Sequence, residues 1–237
     1  MEFHIQWKER LPSTNTFLKE LAAQNRQVPS GTVVAAREQT AGRGRMDRRW
    51  LSAAGENLMF SLFFADDVDV NQWPSSSMAA AIAVAELLRR EGVEASLKWP
   101  NDVLVNGRKI CGILSERIPR GLIIGIGLNV NMQNAHHIDQ PATSMRMETG
   151  RQTDPEELLP RLLGHLSVRL EQWRQGGFSN IRKEWESYVP TLGKTVTVRD
   201  GRVRRSGILS GFGEHGELLL RDENGTVDVI WAGDLSA

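Results

Sequence analysis

The chain has 237 residues, 29 basic and 29 acidic side chains and one cysteine. Balanced charge argues against a general polyanion binder, and the single thiol, Cys111, excludes an intrachain disulfide and a cysteine zinc cluster. No apolar run of about eighteen residues is present, and the charged N-terminus MEFHIQWKERL lacks a signal-type apolar core, so a soluble cytosolic protein without membrane contact is expected.

Apolar spacing switches repeatedly between helical and strand periods, which predicts an α/β or α+β domain. Polar Ser13, Thr14 and Asn15 open a short helix over Thr16–Ala23. Thr32–Ala36 and Asn57–Ala65 read as strands. Pro74 and Ser75–Ser77 open a helix with Met78, Ile82, Ala85 and Leu88 on one side, closed by Gly92. Asp154 caps a long helix with Pro155 in its first position, Glu156 and Glu157 in its first turn and a leucine stripe ending at Trp173. Beyond Pro190 the texture changes to short strands with tight turns, so a boundary is placed near Thr191: residues 1–190 form one domain and 191–237 a small barrel.

Three stretches carry chemistry. AGRGRMDRRW, Ala41–Trp50, lies in a segment from Arg37 to Arg49 that holds five arginines. Guanidinium forks pair in bidentate fashion with phosphate or carboxylate, so this is an anion-binding loop; a solvated basic linker or RNA-contacting segment is the other reading.

The second stretch is a hairpin, Asp102–Val105 and Arg108–Ser115, turned by Asn106-Gly107. An unbroken register sets Leu104 opposite Lys109 and Asp102 opposite Cys111. Val103, Val105, Ile110 and Leu114 then face the core, and Asp102, Leu104, Lys109, Cys111 and Ile113 share the other side. Asp102 and Lys109 emerge as diagonal neighbours, either gripping one charged ligand or forming an ordinary ion pair. In the third stretch Ile124, Ile126, Leu128 and Val130 alternate with Gly125, Gly127, Asn129 and Asn131. Glycines inside a strand mark close approach, so a ligand laid flat on that face, with Asn129 offering its amide, is expected, tight packing under a helix being the other reading.

Taken together, Ser13-Thr14-Asn15, the GRGR loop ending in Trp50, Lys98-Trp99-Pro100-Asn101-Asp102, Lys109 with Gly112-Ile113-Leu114 and Glu116, and Gly125-Ile126-Gly127-Leu128-Asn129 resemble biotin protein ligases in order and spacing. The resemblance implies a class II aminoacyl-tRNA synthetase-like mixed sheet flanked by helices, followed by an SH3-like β-barrel. It implies that biotin and ATP, with Mg2+, give biotinyl-5′-adenylate, and that a lysine of a biotin carboxyl carrier protein then takes the acyl group.

By position, the resemblance gives Ser13, Thr14, Asn15, Gln39, Gly42, Arg43, Lys109 and Gly112 to biotin, and Arg45, Arg48, Trp50, Asn101, Asp102 and Asn129 to ATP or the adenylate. It gives the catalytic roles to Lys109 and Arg45 and a metal-holding role to Asp102. The loop would order over bound ligand as a lid. Trp50 would anchor its end against adenine or the sheet, or simply be a core residue.

Two departures stand out. Asp47 replaces the family's glycine, and no helix-turn-helix fits before Ser13, so a monofunctional enzyme without DNA contact is expected. Lipoate ligation is the nearest alternative chemistry. Nucleic-acid binding through the Gly-Arg loop with Arg199, Arg202, Arg204 and Arg205 of the barrel is the alternative of another class, and those four also read as a charged, solvated strand edge. His136-His137 lack ligand spacing for a metal, and Asp66, Asp67 and Asp69 read as a solvated loop. Pairing of two chains into a homodimer is left open.

Overall fold

A computed structural model describes residues 1–24, 28–46, 48–65, 69–119, 121–136, 138, 140–201 and 203–236. The expectations attached to Asp47, Asp66, Asp67, His137 and Arg202 lie outside the described residues.

The large sheet is built from β1 (His4–Leu11), β2 (Thr32–Gln39), β3 (Asn57–Phe64), β4 (Ser96–Lys98), β5 (Asp102–Val105), β6 (Arg108–Ile118) and β7 (Gly121–Asn129), in spatial order β1-β2-β3-β7-β6-β5-β4. The β1–β2 pair is parallel and the remaining neighbours are antiparallel, so the sheet is mixed. Helices α1 (Thr14–Ala23), α2 (Ser76–Arg90), α3 (Met145–Thr149), α4 (Pro155–Gly176) and α5 (Arg182–Ser187) complete this part. Strands β8 (Thr195–Asp200), β9 (Val203–Phe212), β10 (Leu218–Arg221), β11 (Val227–Ile230) and β12 (Asp234–Ser236) form a second, antiparallel sheet. This is the expected architecture of a mixed sheet flanked by helices with a small β unit after it.

The two faces of the large sheet are covered differently. On one, Ile124, Ile126 and Leu128 of β7 join the main core with α2 and the leucine stripe of α4, where Phe64 and Trp173 pack with ring centroids 6.1 Å apart. On the other, Ile123, Val34 and Phe63 pack beneath Leu18 of α1. Because α1 is short, it shields only part of its face, reaching Gly125 with Asn15 of its first turn and leaving Gly127 to other groups. That leftover area is the site.

The C-terminal sheet shares the main core: Val196, Leu209, Phe212 and Leu218 are contiguous with Phe178 and Trp185. Phe212 meets Phe178 and Trp185 edge-on at 6.1 and 6.0 Å, and the Trp99 indole N–H donates to Gly216 O at 2.9 Å. The Trp-Pro corner before Asp102 is thus clamped by the second sheet, which fixes where β5 begins.

Between α2 and α4, Glu86 accepts from Arg169 Nε at 3.1 Å and faces His165 Nδ1 at 3.4 Å. Burial would raise the Glu86 pKa, but hydrogen bonds and charge from Arg169 outweigh it and hold the carboxyl below its ordinary 4.5. A carboxylate with a depressed folded pKa stabilises the fold above its unfolded pKa, and that contribution is lost as pH falls through the folded value. Melting temperature is therefore expected to fall more steeply from about pH 5 to 3 in the wild type than in Glu86→Gln, where this group no longer titrates. Parallel slopes in the two proteins would contradict it.

Candidate active site

The hairpin turn is as the Asn-Gly pair requires, with φ of 50° at Asn106 and 74° at Gly107. The unbroken register is corrected: Leu104 does face Lys109, but a β-bulge follows, so Val103 faces Cys111 and Asp102 faces Gly112. One extra residue re-aims everything beyond it. Cys111 and Ile113 enter the core together with Ile110, while Gly112 and Leu114 turn to the side of Lys109 and Asp102, the reverse of the simple alternation.

Lys109 is tied on its other flank: its N–H donates to Pro141 O and its carbonyl accepts from Thr143 N, both at 2.9 Å. The side chains of Lys109 and Asp102, each 17% exposed, bring Nζ to 2.6 Å from Oδ1. That contact is a close ion pair, and among the described residues no further donor reaches the buried Asp102 Oδ1. Burial drives the Cys111 thiol pKa upward, more than the nearby Lys109 charge lowers it.

At the start of α1, Ser13 is the N-cap, its hydroxyl accepting from Thr16 N at 3.4 Å. Thr14 N donates to Gln39 Oε1 at 2.8 Å. Asn15 Nδ2 donates to Glu116 Oε2 at 2.8 Å and to Leu114 O at 3.2 Å. Fully buried Ser61 sits between them, 2.7 Å from Thr14 Oγ1 and 2.5 Å from Asn15 Oδ1.

The arginine loop is closed by short-range pairing: Gly44 N donates to Arg48 O at 2.7 Å and Trp50 N to Gly42 O at 3.0 Å, with a bridge between Arg43 and Arg49. Arg43 is ion-paired with Glu116. Arg45 donates to Asn101 Oδ1 at 3.1 Å, and burial lowers its pKa against the opposing charges of Asp234 and Asp102. Asn101 in turn donates to Ile113 O at 2.7 Å, which ties the loop to β6.

Trp50 lies over the glycines. A Cβ on Gly127 would come within 2.5 Å of its indole and one on Gly112 within 3.1 Å, while one on Gly125 would come within 2.1 Å of Asn15 Oδ1. The glycine face does line the pocket, through Gly125, Ile126 and Gly127, and the protein's own Asn15 and Trp50 cover part of the space that the missing side chains leave. Lys109 Nζ stands 6.0 Å from the Trp50 ring centroid, and the indole N–H is buried without a partner among the described residues. Trp50 is therefore anchored against the sheet.

These elements meet in one pocket. Ser13, Thr14, Asn15, Gln39, Arg43, Arg45, Arg48, Trp50, Asn101, Asp102, Lys109 and Gly112 all line it. Gly42 and Asn129 do not. Gly42 is at the loop's closure, where a Cβ would meet Trp50 O at 2.5 Å. The Asn129 amide, expected to face a ligand, instead donates to Thr143 O at 2.9 Å, and its carbonyl oxygen has no partner among the described residues. Its donor is used to hold the segment that braces Lys109.

Ser61, Gln140 and Asp234 were not singled out from sequence. Ser61 alternates correctly within an apolar strand and nothing marks it there. Asp234, from β12 of the second sheet, lines the pocket and is ion-paired with Arg48, with a second contact at 3.1 Å. The side chains are 55% and 36% exposed, and such a solvent-screened pair contributes at most about 1 kcal/mol. Asp234→Asn is thus expected to speed tryptic cleavage after Arg48 or Arg49 by no more than about fivefold with an unchanged melting temperature. Unchanged cleavage would show that the pair does not restrain the loop.

The sequence model of the Biotin/lipoate A/B protein ligase family matches residues 7–132. The chain belongs to this family. It is 35% identical over 229 residues to the biotin–[acetyl-CoA-carboxylase] ligase of Mycobacterium tuberculosis, covering 94% of this chain and 85% of that protein. To the bifunctional ligase/repressor BirA of Bacillus subtilis it is 35% identical over 242 residues, covering 98% of this chain and 73% of that protein. The biotin protein ligase from Aquifex aeolicus, solved in complex with biotin and ATP, superposes with a TM-score of 0.86 at 32% identity, covering 98% of this chain and 97% of that one. This family member is an enzyme, a ligase of the biotin protein ligase type. None of its described helices is long and apolar enough to cross a membrane.

Proposed function

We propose that this ligase uses ATP to join biotin to one lysine of a biotin carboxyl carrier domain, through biotinyl-5′-adenylate. Residues 1–190 would carry the chemistry, and 191–237 would brace the Trp99 corner and reach the pocket through Asp234. The observation that carries the reading is the Lys109 ammonium, backbone-pinned on both sides and paired with Asp102, in a pocket that four arginines also line.

In the first half-reaction a biotin carboxylate oxygen attacks the α-phosphorus of ATP and pyrophosphate leaves. Two anions must approach each other, and charge peaks where the new bond forms. A fixed ammonium between the carboxylate and the α-phosphate opposes that repulsion most strongly at the transition state, which is where stabilisation accelerates a reaction. Arg45 and Arg48 would take phosphate oxygens, and the hydrogen bond from Arg45 to Asn101 supports this by holding its guanidinium in the pocket. Ser13, Thr14 and Gln39 would take the ureido ring. In the second half-reaction the lysine amine attacks the activated carbonyl, AMP departs and the amine loses a proton.

A divalent cation fits this donor set only in part. Among the described residues no group of three or more His, Cys, Asp and Glu side chains is gathered, but Mg2+ is commonly held by one or two carboxylates plus substrate phosphates. Asp102, whose buried Oδ1 has Lys109 as its one partner among the described residues, is the residue that would hold Mg2+ against the nucleotide. The ion would neutralise phosphate charge there.

An acyl-adenylate must be kept from water, and the loop from Arg37 to Trp50 would serve as its lid, with Trp50 beside the adenine. Incubation of the protein with ATP, biotin and a cell lysate, followed by streptavidin blotting, should label a carrier polypeptide only when all three are present. Competition by lipoate as effective as by biotin would favour the other acyl substrate of the family, and absence of labelling with a purified carrier domain would overturn the reading.

A further inference from the structure

Resting on the biotin reading above, we propose that Glu116, which does not line the pocket, is a positioning residue that fixes the hydrogen-bond polarity of the biotin ureido site through Asn15, Ser61 and Thr14. Its Oε1 faces Lys19 Nζ at 2.5 Å and Arg43, and its Oε2 accepts from Asn15 Nδ2. The two cations hold one oxygen, and the other is left to orient the Asn15 carboxamide.

That orientation propagates. With Nδ2 turned to Glu116 Oε2 and Leu114 O, two acceptors, the Asn15 oxygen must face Ser61, and an amide oxygen can only accept. The single Ser61 proton is therefore committed to Asn15. The Thr14 hydroxyl has two acceptors in reach, Gln39 Oε1 at 3.2 Å and Ser61 Oγ at 2.7 Å, and with the Ser61 proton committed its own goes to the closer one. Gln39 Oε1 accepts from Thr14 N–H at 2.8 Å, so it is satisfied without the Thr14 hydroxyl 3.2 Å away, and the Gln39 amide N–H groups point elsewhere.

Every donation runs inward toward Glu116, so Thr14 offers the pocket lone pairs only. Ser13, whose oxygen already accepts from Thr16 N, keeps its proton to give. An acceptor beside a donor is the complement of a urea N–H beside its carbonyl. A ligand with the opposite pattern would meet unpaired groups, which buried sites penalise strongly.

Glu116→Gln tests this with almost no change of shape. The paired cations would keep the new amide oxygen in the Oε1 position, and the new NH2 would then oppose Asn15 Nδ2, donor against donor. We expect the variant to bind biotin about 10-fold more weakly by calorimetry, with KM for biotin raised and kcat at saturating biotin within about threefold. In a Ser61→Ala background, where the hydrogen-bond chain is already cut, the same substitution should change biotin affinity less than about twofold.

An equal loss in both backgrounds would assign Glu116 a merely structural role and overturn the proposal, as would unchanged biotin affinity in Glu116→Gln. If Ser61→Ala does not fold, Thr14→Val cuts the chain at its other end and carries the same comparison. A wild-type chain that binds no biotin at all would instead overturn the functional reading and this inference with it.

Discussion

Alanine at Lys109 is expected to lower biotin-dependent pyrophosphate release by about 10²- to 10³-fold, the usual cost of deleting one preorganised charge at a developing anion. The backbone there is held from both sides, by Leu104 across the hairpin and by Pro141 and Thr143 on the other flank, so the strand keeps its place without the side chain. What changes is the charge: Asp102 loses its partner at 2.6 Å in a largely buried setting, and the repulsion between two substrate anions is no longer opposed. Circular dichroism should show the native spectrum, and the loss should fall on kcat for adenylation. Turnover near that of the wild type would remove Lys109 from its proposed role and, with it, the main support for adenylation in this pocket.

Gly125→Ala is expected to weaken biotin binding by roughly 10- to 100-fold and to destabilise the fold by about 1–3 kcal/mol. The new methyl would stand 2.1 Å from Asn15 Oδ1, an overlap that only displacement of the carboxamide can relieve. Asn15 cannot move alone, because Ser61, Glu116 and Leu114 all hold it. Gly164→Ala is the matching control, since its methyl meets nothing within 4 Å inside α4, and there the exchange should add about 0.5–1 kcal/mol of stability. Chemical denaturation and biotin calorimetry on the two variants separate the effects, and retained biotin affinity in Gly125→Ala would show that the Asn15 chain does not shape the site.

Much of the fold was legible because local signals agreed with the final structure. Asp154 and Pro155 announced α4, and the side chain of Asp154 does accept from Glu156 N. The Asn106-Gly107 turn has the positive φ values that the pair favours. Other elements were silent. β1 is an edge strand whose half-exposed, charged side chains lack an apolar rhythm, and the short strand β12 carries too few residues to show a period. The β-bulge after Lys109 had no sequence mark either, because an extra residue is imposed by pairing on both flanks of a strand and leaves no trace in its hydrophobicity.

Sequence by itself determined which groups are available: a cluster of arginines on a glycine-rich loop, a lysine and an aspartate near one tight turn, a strand stripped of side chains on one face, and three small polar residues at a helix start. These are local facts, set by residue type and turn chemistry. Only the tertiary structure decided what they touch. It placed Gly112 instead of Cys111 opposite Asp102, set Trp50 and Asn15 on the bare glycines, turned the Asn129 amide inward and brought Asp234 from the second sheet to Arg48. The physical reason is that register, bulges and contacts between distant segments arise from packing whole surfaces together, and no single stretch of chain contains that information.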